Sequence, residues 1–258
     1  MDTQQPQFAV IGVGRFGAFW GRELSRFFPV SFYDVDAGRA AQVAPYGRWE
    51  SLETCLQKDY IFLTIPIRRL EDFLKQHGDA IRAGSVVLDC ASVKLAVQEW
   101  FTAHLPESVY YAASHPLFGP DSARNSLANH TITLQPGRIP FQQYDLLAEL
   151  FTHRMGLRVL NISAEEHDRM MAYNLSLIHH LGRTFHKMQI GKLPLIMANL
   201  ERMNHISRIA ANDTEELFQD FYRFNPYAAR VRDDFMENFR RVGEIIEPGT
   251  LRKRSVKQ

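Results

Sequence analysis

Phe8-Ala9-Val10-Ile11-Gly12-Val13-Gly14-Arg15-Phe16-Gly17 joins a short apolar run to a G-x-G-x-x-G turn, and a helical pattern through Trp20, Leu24 and Phe27-Phe28 follows. A strand before and a helix after give the three glycines a physical meaning. Gly12 permits the tight turn, Gly14 lets the backbone approach a pyrophosphate, and Gly17 allows close packing of helix on sheet. The helix start offers N–H groups and the positive end of its dipole to phosphates. About twenty residues further on, Val30-Ser31-Phe32-Tyr33 ends in Asp34, where a carboxylate accepts from adenosine ribose hydroxyls and repels a 2′-phosphate. This favours NAD over NADP, with Arg39 the nearby residue able to accommodate the extra phosphate.

The alternation continues along the chain. Tyr60-Ile61-Phe62-Leu63-Thr64-Ile65, stopped by Pro66, and Ser85-Val86-Val87-Leu88-Asp89 are almost continuously apolar, as strands buried on both faces require. Helical patterns follow them, through Leu70, Phe73 and Leu74 and through Val97, Trp100 and Phe101. Val109-Tyr110-Tyr111, Thr131 to Leu134 and Arg158 to Ile162 supply further strands, with a helix from Phe141 to Met155. Repeated β-α units predict an α/β Rossmann-type, doubly wound parallel sheet over residues 1–162.

From Ser163 onward strand signals vanish. Ser163, with Glu166 three residues later, is a capping box that opens a long helix, and Pro194 and Pro226 mark two further helix starts. Residues 163–258 are thus predicted to form an all-helical domain. Its apolar stripes exceed what so small a unit covers alone, so a homodimer through this domain is expected. The basic tail, Leu251 to Gln258, reads as frayed.

Composition narrows the partners. Lys plus Arg number 30 against 29 Asp plus Glu, so no bulk charge draws the chain to nucleic acid or a membrane, and a small molecule is the expected partner. Two cysteines, Cys55 and Cys90, are too few for a disulfide framework and lack C-x-x-C spacing. With no leader pattern and no apolar run near the ~18 residues of a membrane span, a cytoplasmic location is expected. His167 and His180 stand too far apart for a helical metal pair, and no metal is expected.

The chemistry centres on Ser114-His115-Pro116-Leu117-Phe118-Gly119-Pro120-Asp121. Pro116 biases the preceding backbone away from helix, which predicts His115 where a strand ends, on the rim where open α/β sheets bind ligands. An imidazole held there is a candidate general acid or base, the alternative being a turn cap in a stiff loop. Ser92, after the preceding strand, reaches the same rim. Its hydroxyl either bonds a substrate oxygen or His115, or caps the helix starting near Val93, which Lys94 then decorates. No nucleophile elbow is present, so the dinucleotide motif favours redox chemistry. Arg208, within Ile206-Ser207-Arg208-Ile209-Ala210, lies in an apolar setting where arginine is costly unless paired, and is a candidate anion clamp.

Together GVGRFG, TIPI (Thr64 to Ile67), DCASVK (Asp89 to Lys94), SHPLFGPDS (Ser114 to Ser122), AEEHD (Ala164 to Asp168) and SRIAAND (Ser207 to Asp213) resemble the prephenate and arogenate dehydrogenase family of tyrosine biosynthesis. The resemblance covers nearly the whole chain. It implies His115 as the base for the substrate's ring hydroxyl and Ser92 as that hydroxyl's hydrogen-bonding partner. It further implies Arg208, His179 and Ser114 as substrate-binding residues, and Gly12, Gly14, Arg15, Phe16, Gly17, Asp34, Thr64 and Pro66 as the NAD site. The implied activity is oxidative decarboxylation of prephenate to 4-hydroxyphenylpyruvate. Alternatives are arogenate, giving tyrosine, an amino-substituted prephenate analogue, or an NAD-sensing regulator without turnover.

Overall fold

The computed structural model describes residues 5–245, so the basic tail lies outside the described residues. Two compact units divide between Asp168 and Arg169. In the first, the elements run β1 (Phe8–Ile11), α1 (Arg15–Ser25), β2 (Val30–Tyr33), α2 (Ala40–Val43), β3 (Arg48–Trp49), α3 (Leu52–Cys55), β4 (Tyr60–Leu63), α4 (Ile67–His77), β5 (Val86–Asp89) and α5 (Leu95–His104). They continue through β6 (Tyr110–Pro116), β7 (Thr131–Pro136), α6 (Phe141–Glu149) and β8 (Arg158–Leu160). The unit boundary falls inside α7 (Ala164–Met171).

The strands form one sheet in the order β3-β2-β1-β4-β5-β6-β7-β8, whose first six members follow the dinucleotide-binding order. The order reverses between β1 and β4, so the ends of those two strands, Gly12 and Thr64, flank the crevice where such sheets bind ligands. The apolar runs are buried as their composition demands: Phe8, Val10, Ile61, Phe62, Val87 and Leu88 are all fully buried. Trp20 of α1 packs edge-on against Phe62 at 5.6 Å and tilted against Phe151 at 5.9 Å, locking helix to sheet.

The sheet departs from the expected all-parallel arrangement at one step. β7 runs antiparallel to β6, and β8 is parallel to β7. A parallel return needs a crossover of a dozen or more residues, usually helical, whereas residues 117–130 contain no helix and lead straight back. Strand β6 also extends to Pro116, so His115 sits within the ladder opposite Thr133 instead of beyond its end. Thr133 is in turn level with Leu160, and the chain therefore leaves the sheet at the height of His115 before entering α7. The two-residue β3 had no signal in the sequence.

The second unit is helical: a π-helical stretch, Ala172–Leu177, then α8 (Ile178–Lys187), α9 (Ala198–Asn212), α10 (Glu215–Phe224) and α11 (Ala228–Glu244). Gly182 brings α8 tightly onto α9, since a Cβ there would lie 2.6 Å from the Ala210 Cβ. Helix α10, which no proline announces, is capped by Thr214 Oγ1 accepting from the Leu217 N–H at 3.1 Å. Among the described residues no helix is long and apolar enough to cross a membrane.

Gly21 tests the α1–β2 packing. In an open helix Gly→Ala stabilises by about 1 kcal/mol, but a Cβ at Gly21 would stand 2.1 Å from the fully buried Phe32 ring. Overpacking of that kind costs about 1–3 kcal/mol, so Gly21→Ala is expected to lower the urea unfolding midpoint, not raise it.

Candidate active site

The glycine turn is built by sterics. Gly12 has φ +102°, and a Cβ there would lie 2.8 Å from the Thr64 carbonyl carbon; one at Gly17 would lie 1.9 Å from the Gly12 carbonyl oxygen. Neither position tolerates a side chain, whereas Gly14 has only Arg39 Nη1 nearby, at 3.7 Å, leaving its backbone approachable. Thr64 Oγ1 donates to the Gly12 carbonyl at 2.6 Å and so buttresses the turn. No side chain caps the start of α1 and no acidic residue lies in its first turn. Asp34 Oδ2 accepts from the Val13 N–H at 2.6 Å, fixing a carboxylate beside the turn. The donor set and the uncovered helix start fit a dinucleotide.

Other expected cofactor residues have definite neighbours. Phe16 stacks on Trp20 at 6.0 Å, and Pro66 precedes the first residue of α4. Arg15 reaches Asp121 of the 117–130 loop, Nη2 lying 2.9 Å from both carboxylate oxygens. About half of each side chain is exposed, so the pair contributes little stability and serves mainly to join turn and loop.

At the rim formed by β5 and β6, buried polar groups converge. His115 Nδ1 lies 2.9 Å from His167 Nε2, and His167 Nδ1 lies 2.8 Å from Asp168 Oδ1. Asp168 also accepts from the backbone N–H groups of Lys94, at 2.8 Å, and Leu95, at 3.0 Å. This carboxylate, not Ser92, caps α5. Ser92 Oγ is buried without a hydrogen-bond partner among the described residues. Such a hydroxyl is costly unless something completes it.

Lys94, expected on a solvated helix face, is fully buried and its ammonium pairs with Asp89 while donating to the Ala91 carbonyl at 2.8 Å. Ser114 is fully buried too, its hydroxyl donating to the Asp89 carbonyl, so it braces β6 against β5 instead of presenting a hydroxyl to solvent. Burial holds the His115 imidazole well below its ordinary range, and His167 and the Lys94 ammonium push it the same way. Burial also lowers His167, with Asp168 opposing the shift. His115 is therefore neutral near neutral pH, the state a base requires.

The family model described as "Prephenate dehydrogenase, nucleotide-binding domain" matches residues 22–160. The chain belongs to the prephenate dehydrogenase family. Cyclohexadienyl dehydrogenase of Zymomonas mobilis is 25% identical over 92% of this chain and 87% of its own length. Arogenate dehydrogenase 1 of Arabidopsis thaliana is 22% identical over 91% of this chain and 38% of its own length. The chain spans less than half the length of two of the curated relatives that it matches. Among solved structures, prephenate dehydrogenase from A. aeolicus in complex with hydroxyphenyl propionate and NAD+ superposes with TM-score 0.75 at 17% identity, covering 95% of this chain and 92% of that one.

In this member of the prephenate dehydrogenase family, the sequence singled out His115 and Ser92 but not His167, Asp168, Lys94 or Asp89 as site residues. The DCASVK and AEEHD motifs carry all four, and an aspartate five residues before a lysine at a strand end was the available signal. In the second unit, Arg208 is exposed and its guanidinium donates to Glu201 at 3.0 Å, so its apolar neighbours in sequence do not bury it. His179 is buried, its ring edge-on to Phe221 at 5.1 Å, with Nδ1 lacking a partner among the described residues.

His179 gives the pH test. Burial, with Arg183 adding to it, pushes its imidazole down to about 4. The folded state keeps it neutral, while in the unfolded chain it takes up a proton below about pH 6.5. Stability is thus present above 6.5 and lost as pH falls toward 4, on the order of 3 kcal/mol. His179→Asn is expected to remove that share of the acid sensitivity, measured as the difference in urea unfolding free energy between pH 6.5 and 4.5.

Proposed function

We propose that this chain is an NAD-dependent dehydrogenase that oxidatively decarboxylates prephenate to 4-hydroxyphenylpyruvate. The observation that carries the proposal is a buried, neutral His115 on the rim of a dinucleotide-binding sheet, with the Ser92 hydroxyl, which has no hydrogen-bond partner among the described residues, on the neighbouring strand connection. His115 takes the proton of the ring hydroxyl, and Ser92 hydrogen-bonds the same oxygen. The chemistry a bound nicotinamide supplies is hydride acceptance from the carbinol carbon. Oxidation leaves a ring ketone conjugated with the bond to the ring carboxylate; CO2 departs, its bonding electrons aromatise the ring, and His115 returns the proton to the phenolic oxygen. Aromatisation makes the sequence irreversible.

Asp34 supports NAD over NADP, since its carboxylate is fixed at the turn by the Val13 and Asp36 N–H groups. Arg39, the residue that could receive a 2′-phosphate, donates to the Val13 carbonyl at 2.9 Å and stands 3.9 Å from Asp34. Arogenate is the second substrate to weigh. Asp168, the acid beside His167 that could meet its ammonium, is fully buried and bonded to His167 and the start of α5. This favours prephenate. The helical unit exposes Leu195, Met197, Phe239 and Ile245, which supports a homodimer through that unit.

Purified protein given NAD and prephenate is expected to form NADH, with a lower kcat/KM for arogenate and for NADP. His115→Asn is expected to lower kcat by about 100-fold or more while the NAD dissociation constant holds. NAD binding without NADH from either substrate would replace the enzyme with a nicotinamide-responsive regulator.

A further inference from the structure

We infer that His167 and Asp168 are positioning residues that hold His115 as the Nδ1–H tautomer, leaving Nε2 as the nitrogen that accepts the proton. The role of the accepted proton rests on the dehydrogenase proposal; the tautomer does not.

The inference follows from donor and acceptor bookkeeping along three buried side chains. Asp168 is a carboxylate, and a carboxylate accepts. The ring nitrogen 2.8 Å from it, His167 Nδ1, must therefore carry hydrogen. A neutral imidazole protonated on Nδ1 has a bare Nε2. That bare nitrogen lies 2.9 Å from His115 Nδ1, which must then be the donor. His115 consequently carries its hydrogen on Nδ1, the tautomer that neutral histidine disfavours in water, and its Nε2 is left as a base.

The carboxylate at the end of this chain is held in register by its own partners. Asp168 accepts from the N–H groups of Lys94 and Leu95, so a change in its donors or acceptors is passed on to both rings. The Lys94 ammonium does not compete for it, because that charge is matched by Asp89 and by the Ala91 and Val93 carbonyls. When Nε2 takes a proton, the Nδ1 hydrogen can shift toward His167 Nε2, which brings the positive charge next to Asp168. His115 and Asp168 are respectively 8% and 0% exposed, so water cannot perform this compensation.

The test uses the full-length protein labelled with 15N-histidine, without substrate, and reads the ring nitrogen shifts alongside kinetics. In the wild type, His115 is expected to show a protonated Nδ1 and a bare Nε2. In Asp168→Ala, His167 Nδ1 loses its acceptor, the His167 hydrogen is no longer fixed on that nitrogen, and His115 is expected to lose its Nδ1–H preference, with a fall in kcat of about 1,000-fold and little change in KM or NAD affinity. His167→Leu leaves the cap on α5 in place and covers the case in which Asp168→Ala fails to fold; it is expected to lose the tautomer preference and kcat together. His167→Gln, whose carbonyl oxygen accepts from Nδ1, is expected to retain the tautomer and kcat to within about tenfold. An Nε2–H tautomer in the wild type, or an unchanged tautomer in His167→Leu, would overturn the inference. Absence of NADH in the wild type would overturn only the dehydrogenase proposal, because the spectrum reads the tautomer without turnover.

Discussion

A carboxylate that accepts backbone N–H groups at a helix start binds most firmly where water is excluded, and Asp168 does so while fully buried. The residue it caps, Leu95, lies 73 positions earlier in the chain. Local capping is missing here: Lys94 is the N-cap of α5 and its side chain makes no cap bond. The cap on α5 thus comes from the last residue of the unit, and bringing it there carries the adjacent His167 to the rim. Loss of such a cap costs about 1–2 kcal/mol, modest for a fold. Its larger effect is on where an imidazole stands.

The charges beneath the rim are sorted in pairs. Lys94 goes with Asp89, and Asp168 goes with the helix start and His167. Breaking one member of a buried pair leaves the other uncompensated, at a cost of several kcal/mol. Asp89 is further tied by the N–H groups of Ala91 and Ser114, so the β5 end and the β6 strand move as one piece. Rigid backing of this kind is what a proton-transfer site requires, because small displacements of the acceptor are expensive in rate.

What the sequence made legible was local. The glycine turn is dictated by contacts of Gly12 and Gly17 with their immediate surroundings, and the buried strands by unbroken apolar runs. What it hid was pairing over distance. The direction of β7 depends on how residues 117–130 return, not on the composition of Thr131–Pro136. Ser92 had the right chemistry and position for a cap, yet the amides went to an acid from another helix. Arg208 misled through helical phase: in α9 the buried positions are Asn204, Ser207 and Ala210, which turns the arginine outward between two isoleucines. His115 itself was legible, but its partner His167 is 52 residues away and only the folded rim joins them.

The reversal of β7 has an evolutionary consequence. Because β6 and β7 are antiparallel neighbours, residues 117–130 leave and rejoin the sheet at one edge of the same rim. Phe118, Ala123 and Leu127 of that stretch are buried in the core and anchor it to the sheet, whereas insertions between these anchors carry an entropic cost that grows only with the logarithm of their length. The mouth beside His115 can therefore change between its anchors while the strand order and the register that carry the base stay as they are.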